Sequence, residues 1–512
     1  MKVFLGRAFT LLALLSGLSA PLPAQAQSIV TTRSGQLRGV DEDGVTAYKG
    51  IPFAQAPVGA RRWRAPEPPA RWQGVRDAST FGATCMQPPR PGGPDIAMSE
   101  DCLFLNIWRP SGRKDAARLP VLVWIHGGAF VTGSTAWPVY SGAPLARNGV
   151  VLVTLNYRLG YLGWFAHPAL TRESGGRGTG NFGLLDQIAA LRWIRDNIAA
   201  FGGDPANVTI MGESAGGISV NNLMIAPQAR GLFAKAITQS APASMALRSL
   251  ASAEALGSRV ATGLGATDLD ALRAVPAEKL IAAAGAPGGA PGTIIDGVLV
   301  PDTPARSFAA GRAARVPWIV GTVEAEMAMF PDLRKGYVEN LTKPLQEEVA
   351  ATYDTGRTMS GDQLSIAVTT DVYWSGPARS FAAGQAKRGL RTYRYVFGYV
   401  PEAARAKLPY ARHGSDIPFT LNTLGTRAVG DIAGGGALIA YSDRDWAIAR
   451  DMGRYFTNFA KTGDPNGPGL ARWTQDRPDA VMAIDKTGFR MVPDFRKRQF
   501  DLAARLPTLP VQ

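Results

Sequence analysis

From residue 119 onward the chain alternates continuous apolar runs with amphipathic stretches. Residues 121–128 (VLVWIHGG) and 150–157 (VVLVTLNY) are apolar at successive positions, as strands buried on both faces of a mostly parallel sheet must be. Residues 184–201 (LLDQIAALRWIRDNIAAF) put Ile188, Leu191, Ile194 and Ile198 on one side, which predicts a helix. A strand at 208–211 runs straight into GESAGG, and shorter strands are expected at 235–240, 316–322 and 392–399. Strands and helices in this alternation make an α/β chain with a doubly wound sheet. Residues 27–40 mix β-branched and polar positions around Ser34-Gly35, as a hairpin does. Helical patterns at 251–283 and 342–390 read as insertions, and 282–292 (AAAGAPGGAPG) as a loop. No repeat or long linker divides residues 27–512, so one decorated domain is expected.

Composition narrows the chemistry. The 512 residues are 46% hydrophobic and 19% charged, a globular balance that excludes long disorder and coiled coil. Three His and two Cys leave no room for a structural zinc site, an iron–sulfur cluster or a dense disulfide scaffold. No metal or cofactor is therefore expected. The net charge of +14 comes from 43 Arg and 12 Lys against 41 acids, scattered rather than clustered. Basic stripes and aromatic RNA-binding patterns are missing, so nucleic acid is not an expected partner. The sequence carries no sign of oligomeric state.

Lys2 and Arg7 precede an uncharged run over 8–20, and Ala24-Gln25-Ala26 fits the small-x-small rule of a cleaved export signal. Cleavage near Ala26 would deliver the chain to a periplasm or beyond. No other stretch of 18 apolar residues follows, so stable membrane insertion is not expected. In an oxidising compartment Cys85 and Cys102 are expected to form one disulfide.

Gly212-Glu213-Ser214-Ala215-Gly216 is a G-x-S-x-G motif between a strand and a helix-like segment. Glycines at its ends permit a turn sharp enough to stand the Ser214 hydroxyl above the sheet, with the Ala215 N–H at a helix N-terminus. The hydroxyl needs a base, and in this chain order the acid and then the histidine follow the serine. Of His126, His167 and His413, only His413 does. The acid must then lie between them, and Glu324 and Glu326 both follow the strand at 316–320. Upstream, His126-Gly127-Gly128-Ala129-Phe130 is a loop small enough to bring backbone N–H groups to an acyl oxygen; His126 itself reads as a structural residue.

These segments resemble the type-B carboxylesterase family, which includes bacterial para-nitrobenzyl esterases and cholinesterases. The likeness runs through 48–63 (YKGIPFAQAPVGARRW), 99–108 (SEDCLFLNIW), 126–130, 156–164 (NYRLGYLGW), 180–217, 413–419 (HGSDIPF) and 459–466 (FAKTGDPN). It implies an α/β-hydrolase fold with helical insertions over the site, Ser214 as nucleophile, Glu326 as acid and His413 as base. It further implies oxyanion donors at Gly128, Ala129 and Ala215, and matches Cys85–Cys102 to the family's first disulfide. The acid motif departs from the usual Asp-Glu-Gly, reading Ala325-Glu326-Met327, and Ala129 replaces a third glycine. The segment between the cysteines holds no aromatic residue to bind quaternary ammonium, which argues against choline esters.

Competing motifs fail on context. Ser111-Gly112-Arg113-Lys114 and Lys461-Thr462-Gly463 imitate penicillin-binding enzymes, but the first lies in a polar loop and the second ends a helix. The glycines of 175–183 lack a preceding strand and nucleotide-binding spacing. A purely binding module would not keep serine, acid and histidine together. The expected partner is a small-molecule ester, hydrolysed with water through an acyl-enzyme. Hydrophobic or aromatic esters rank above carboxylate-bearing or bulky natural esters, amides and carbamates. Phe130, Trp137 and Phe419 fit either an apolar pocket or core packing.

Overall fold

The computed structural model of the chain describes residues 28–89, 97–112, 118–176, 180–242, 247–285, 289–426, 439–475 and 479–508. The export signal, residues 90–96 of the cysteine segment, 177–179 of the Gly-rich stretch and 286–288 of the expected loop lie outside the described residues.

The described residues form an 11-stranded sheet. In chain order its strands are β1 (Val40–Glu42), β2 (Val45–Pro52), β3 (Phe104–Pro110), β4 (Leu119–Ile125), β5 (Val151–Leu155) and β6 (Gly203–Glu213). They continue as β7 (Lys235–Gln239), β8 (Trp318–Val323), β9 (Thr392–Phe397), β10 (Val481–Asp485) and β11 (Gly488–Val492). The spatial order is β1-β2-β3-β5-β4-β6-β7-β8-β9-β10-β11. From β5 to β10 every neighbour is parallel, and antiparallel strands close both edges. The order reverses around β4, so the crevice where an α/β sheet holds its ligands opens at the carboxyl ends of β4 and β6.

Period-two alternation builds a core on each face. Val121, Val123 and Ile125 pack with Leu184, Ile188, Leu191 and Ile194 of helix α1 (Phe182–Asn197). Leu122 and Trp124 face the other way, joining a second core. The elbow leads into α2 (Ala215–Ile225). The first insertion holds α3 (Leu250–Gly263) and α4 (Ala277–Ala284), whose Leu280 and Ala284 join a small cluster with Tyr161 and Leu162. Thus α4 runs three residues, 282–284, into the stretch expected to be loop. The second insertion is α5 (Lys343–Tyr353), α6 (Gly361–Thr370) and α7 (Gly376–Ala386). A wide π turn, Asp371–Ser375, joins α6 to α7. The second core is closed by α8 (Asp443–Thr462), through Ile448, Met452, Phe456 and Phe459. A capping box between Ser442 and Asp445 starts α8, and Gly463 at φ 75° ends it.

The expected hairpin is present, with Ile29–Thr31 paired to Gln36–Arg38. The antiparallel edge strands escape the sequence pattern, because β2 and β3 interleave polar and apolar residues without strict alternation. Cys85 and Cys102 form a disulfide. No helix among the described residues is long and apolar enough to cross a membrane.

Candidate active site

Gly212 of β6 is in register with Ile125 of β4 and Thr238 of β7. The next residue but one, Ser214, turns to φ 56° and ψ −123°, a region that side chains avoid at a cost of about 1–3 kcal/mol. Its N–H donates to Gln239 O at 3.0 Å, and its carbonyl accepts the first bond of α2 from Ile218. Two glycines make the bend possible. A Cβ on Gly212 would meet the Gly216 carbonyl at 2.5 Å, and one on Gly216 would collide with the Ile125 carbonyl oxygen. The serine is half-buried, reachable from the crevice.

The loop after β4 passes over this elbow. A Cβ on Gly127 would lie 3.1 Å from Ser214 Cβ. Gly128, Ala129 and Phe130 follow at φ 109°, 54° and 61°, a curl closed by Val131 and Thr132 N–H groups on Gly128 O, each at 2.9 Å. The Gly128 and Ala129 N–H groups donate to no acceptor among the described residues. His126 is fully buried and stacked on Tyr157, with ring centroids 4.5 Å apart. Burial pushes it down to about 4, so it stays neutral, and its Nδ1–H donates to Gly127 O at 2.8 Å. It is part of the loop's frame.

Glu326 and His413 meet from separate segments. The Ala325 N–H donates to Ala411 O at 3.1 Å, stitching the turn after β8 to the histidine loop. Glu326 is buried; its Oε1 accepts the Val323 N–H at 2.9 Å and its Oε2 lies 2.5 Å from His413 Nδ1. Glu324, the second carboxylate after β8, turns away toward Gly398 and lines a cavity of 680 Å³ with Arg405, Lys486, Arg490 and Arg496. His413 Nε2 has no hydrogen-bond partner among the described residues and stands 3.3 Å from Glu213 Oε1.

Sequence reasoning missed several neighbours. Asp416, buried, accepts from Tyr395 Oη and Gln239 Nε2, both at 2.8 Å, and so moors the histidine loop to β9 and β7. Burial raises its carboxyl to about 6. Phe330 and Trp374 make T-shaped contacts with the His413 ring, with centroids at 5.3 and 6.0 Å, and stack on each other at 5.7 Å. Trp374 belongs to the π turn, a feature often found at functional sites, and donates to Ser240 O at 3.2 Å. Of the aromatics near the motifs, Phe130 and Phe419 are core residues, against Trp164 and Phe397 respectively. Trp137 stacks on Tyr140. The Ser111 hydroxyl hydrogen-bonds with Thr46 at 3.1 Å, and Lys461 lies in the last turn of α8; Arg113 and Lys114 of the first motif lie outside the described residues.

Comparison with known proteins places the chain in a family. The carboxylesterase family model matches residues 26–503. The para-nitrobenzyl esterase of Bacillus subtilis is 37% identical over 92% of this chain and 98% of its own. The fumonisin B1 esterase of Sphingopyxis macrogoltabida is 36% identical over 92% of this chain and 89% of its own. The crystal structure of the Geobacillus stearothermophilus carboxylesterase at pH 6.2 superposes with a TM-score of 0.80 at 35% identity, covering 93% of this chain and 99% of that one. Likeness this even along the whole length goes beyond a shared fold: the chain belongs to the carboxylesterase family, and is a serine-type carboxylic ester hydrolase built on the α/β-hydrolase fold.

Proposed function

We propose that Ser214 is the nucleophile, His413 its base and Glu326 the acid that orients the base. The observation that carries this reading is the 2.5 Å contact of Glu326 Oε2 with His413 Nδ1. A carboxylate there fixes the imidazole tautomer that leaves Nε2 able to take a proton, and stabilises the imidazolium once formed. Ser214 Oγ attacks the ester carbonyl while its proton passes to His413 Nε2. The resulting oxyanion is held by the N–H groups of Gly128, Ala129 and Ala215. Collapse expels the alcohol, which takes the proton from His413. Water then attacks the acyl-serine by the same route, releasing the carboxylic acid and restoring Ser214.

Small hydrophobic or aromatic esters are the proposed substrates. The apolar wall that Phe330 and Trp374 raise beside His413 supports this choice. Export from the cytoplasm is supported by the Lys2–Ala26 pattern and by the disulfide.

The test is hydrolysis of p-nitrophenyl esters from acetate to decanoate by the chain and by Ser214→Ala. Turnover that depends on Ser214 is expected, with the best chain length sizing the acyl pocket. Equal turnover by Ser214→Ala would remove the serine from the mechanism. Absence of both turnover and fluorophosphonate labelling in folded protein would favour a binding role.

A further inference from the structure

The loop proposed to hold the oxyanion has a tie that lies outside it in sequence. Gln87, two residues after Cys85, is only 7% exposed. Its Oε1 accepts the Gly133 N–H at 2.9 Å, while its Nε2 donates to Gly133 O at 2.9 Å and to Cys85 O at 3.0 Å. The orientation of this amide follows from its partners: only the oxygen can accept an N–H, and only the NH₂ can serve two carbonyls. Gln87 thus grips both polar groups of one glycine, as the backbone of a neighbouring strand would.

Gly133 is the far end of the curl that begins at Gly128. It adopts φ 131°, and a Cβ there would collide with His126 Nδ1. Its backbone therefore lies against the imidazole that supports Gly127 through the Nδ1–H bond. On the other flank, the Gly160 N–H holds Phe130 O at 2.8 Å. Beyond Gly133, Thr84 Oγ1 and Ser134 Oγ share a 2.6 Å hydrogen bond. The segment carrying Gln87 is itself anchored by the Cys85–Cys102 disulfide and by the Thr84 N–H on Ala97 O.

We propose that Gln87 is a positioning residue for ester hydrolysis: by fixing Gly133 against His126 it sets the height of the Gly128 and Ala129 N–H groups over Ser214. This rests on the oxyanion reading above. Oxyanion donors act within about 2.7–3.1 Å, and a misplacement near 1 Å costs about 100-fold in rate. A tie at one end of a six-residue curl is placed to govern that distance without touching substrate.

The experiment compares Gln87→Met, which keeps the size and loses all three bonds, with Gln87→Glu. A carboxyl buried between two carbonyls keeps its proton, so Gln87→Glu retains the acceptor and one donor. Each variant is measured for kcat and KM on p-nitrophenyl butyrate and for inhibition by an aryl trifluoromethyl ketone, whose serine adduct carries an oxyanion. For Gln87→Met, kcat falls about 10–100-fold with KM within about twofold, and ketone affinity weakens in parallel. Gln87→Glu lies between Gln87→Met and the parent. Unchanged kcat in folded Gln87→Met overturns the proposal, and so does a loss of kcat without loss of ketone affinity. Should Gln87→Met not fold, Gln87→Glu decides by the same two readouts. If the parent itself is indifferent to the ketone, or Ser214→Ala keeps its turnover, the oxyanion reading fails first and takes the proposal with it.

Discussion

The Nε2 nitrogen of His413 stands 3.3 Å from Oε1 of Glu213, the residue immediately before Ser214. The nitrogen proposed to receive the serine proton thus faces a carboxyl, while Nδ1 faces Glu326 on the other side. Burial pushes Glu213 up to about 8. Burial works against the imidazolium of His413, yet Glu213 and Glu326 outweigh it, with Asp416 adding to them, and the histidine is held up at about 9. Both groups reach for one proton, so they titrate as a pair.

Glu213→Gln removes a negative charge from Nε2 and makes the imidazolium less favourable. The histidine pKa then falls, and the neutral base survives to lower pH. The acid limb of the kcat/KM profile should move downward in this variant, with Glu326 and Asp416 still in place. A limb that stays where it was, or climbs, shows that Glu213 does not hold a proton on the base.

The two carboxylates after β8 should separate cleanly. Glu326→Gln leaves an amide that no longer stabilises the imidazolium, and kcat should fall by about 10³–10⁴-fold. Glu324→Gln alters a side chain turned toward Gly398, and its kcat should stay within about twofold of the parent. Equal losses in the two variants would mean that the acid is misassigned.

Ser214 is held at φ 56° by the chain around it, at a cost to stability. Ser214→Gly relieves that strain, whereas Ser214→Ala keeps it. In urea, the glycine variant should be the more stable of these two inactive proteins by up to about 1 kcal/mol. An alanine variant as stable as the glycine one would show that the elbow carries no strain.

The acyl preference should respond to Phe330, whose ring makes a T-shaped contact with His413 and stacks on Trp374. Phe330→Ala opens space beside the base. Relative kcat/KM for octanoate over acetate esters should rise by about 10-fold, the scale of a few buried methylenes. A preference that does not move places the acyl chain against another wall.

Much of the fold and of the site is legible in the sequence, for physical reasons that differ from element to element. Val121–Ile125 is apolar at every position because both faces of β4 are covered, and a run so short and so uniformly apolar suits little besides a buried strand. His413 is reached by elimination, since only one of three histidines follows Ser214. The choice between Glu324 and Glu326 stays open on residues alone, because both follow one strand. It turns on which side of the Ala325–Ala411 backbone bond each side chain emerges. Gln87 and Trp374 leave no such trace, and the motif that contains Asp416 does not show what it bonds. Their contacts join positions far apart in sequence, and neither periodicity nor a local motif records a hydrogen bond across 46 residues.

Gly216 packs its Cα against the Ile125 carbonyl, and Gly217 would place a Cβ 2.5 Å from Gln239 O. Ser214, the proposed nucleophile, is thereby referenced to the main chains of β4 and β7 rather than to any side chain that selection could readily exchange. The wall beside His413 comes from elsewhere: Phe330 after the Glu326 turn and Trp374 of the π turn in the second insertion. Reactivity and selectivity are consequently separable in this molecule. A mutational library over residues 327–386 should yield altered substrate ranges, whereas one over 212–217 should yield mostly dead protein.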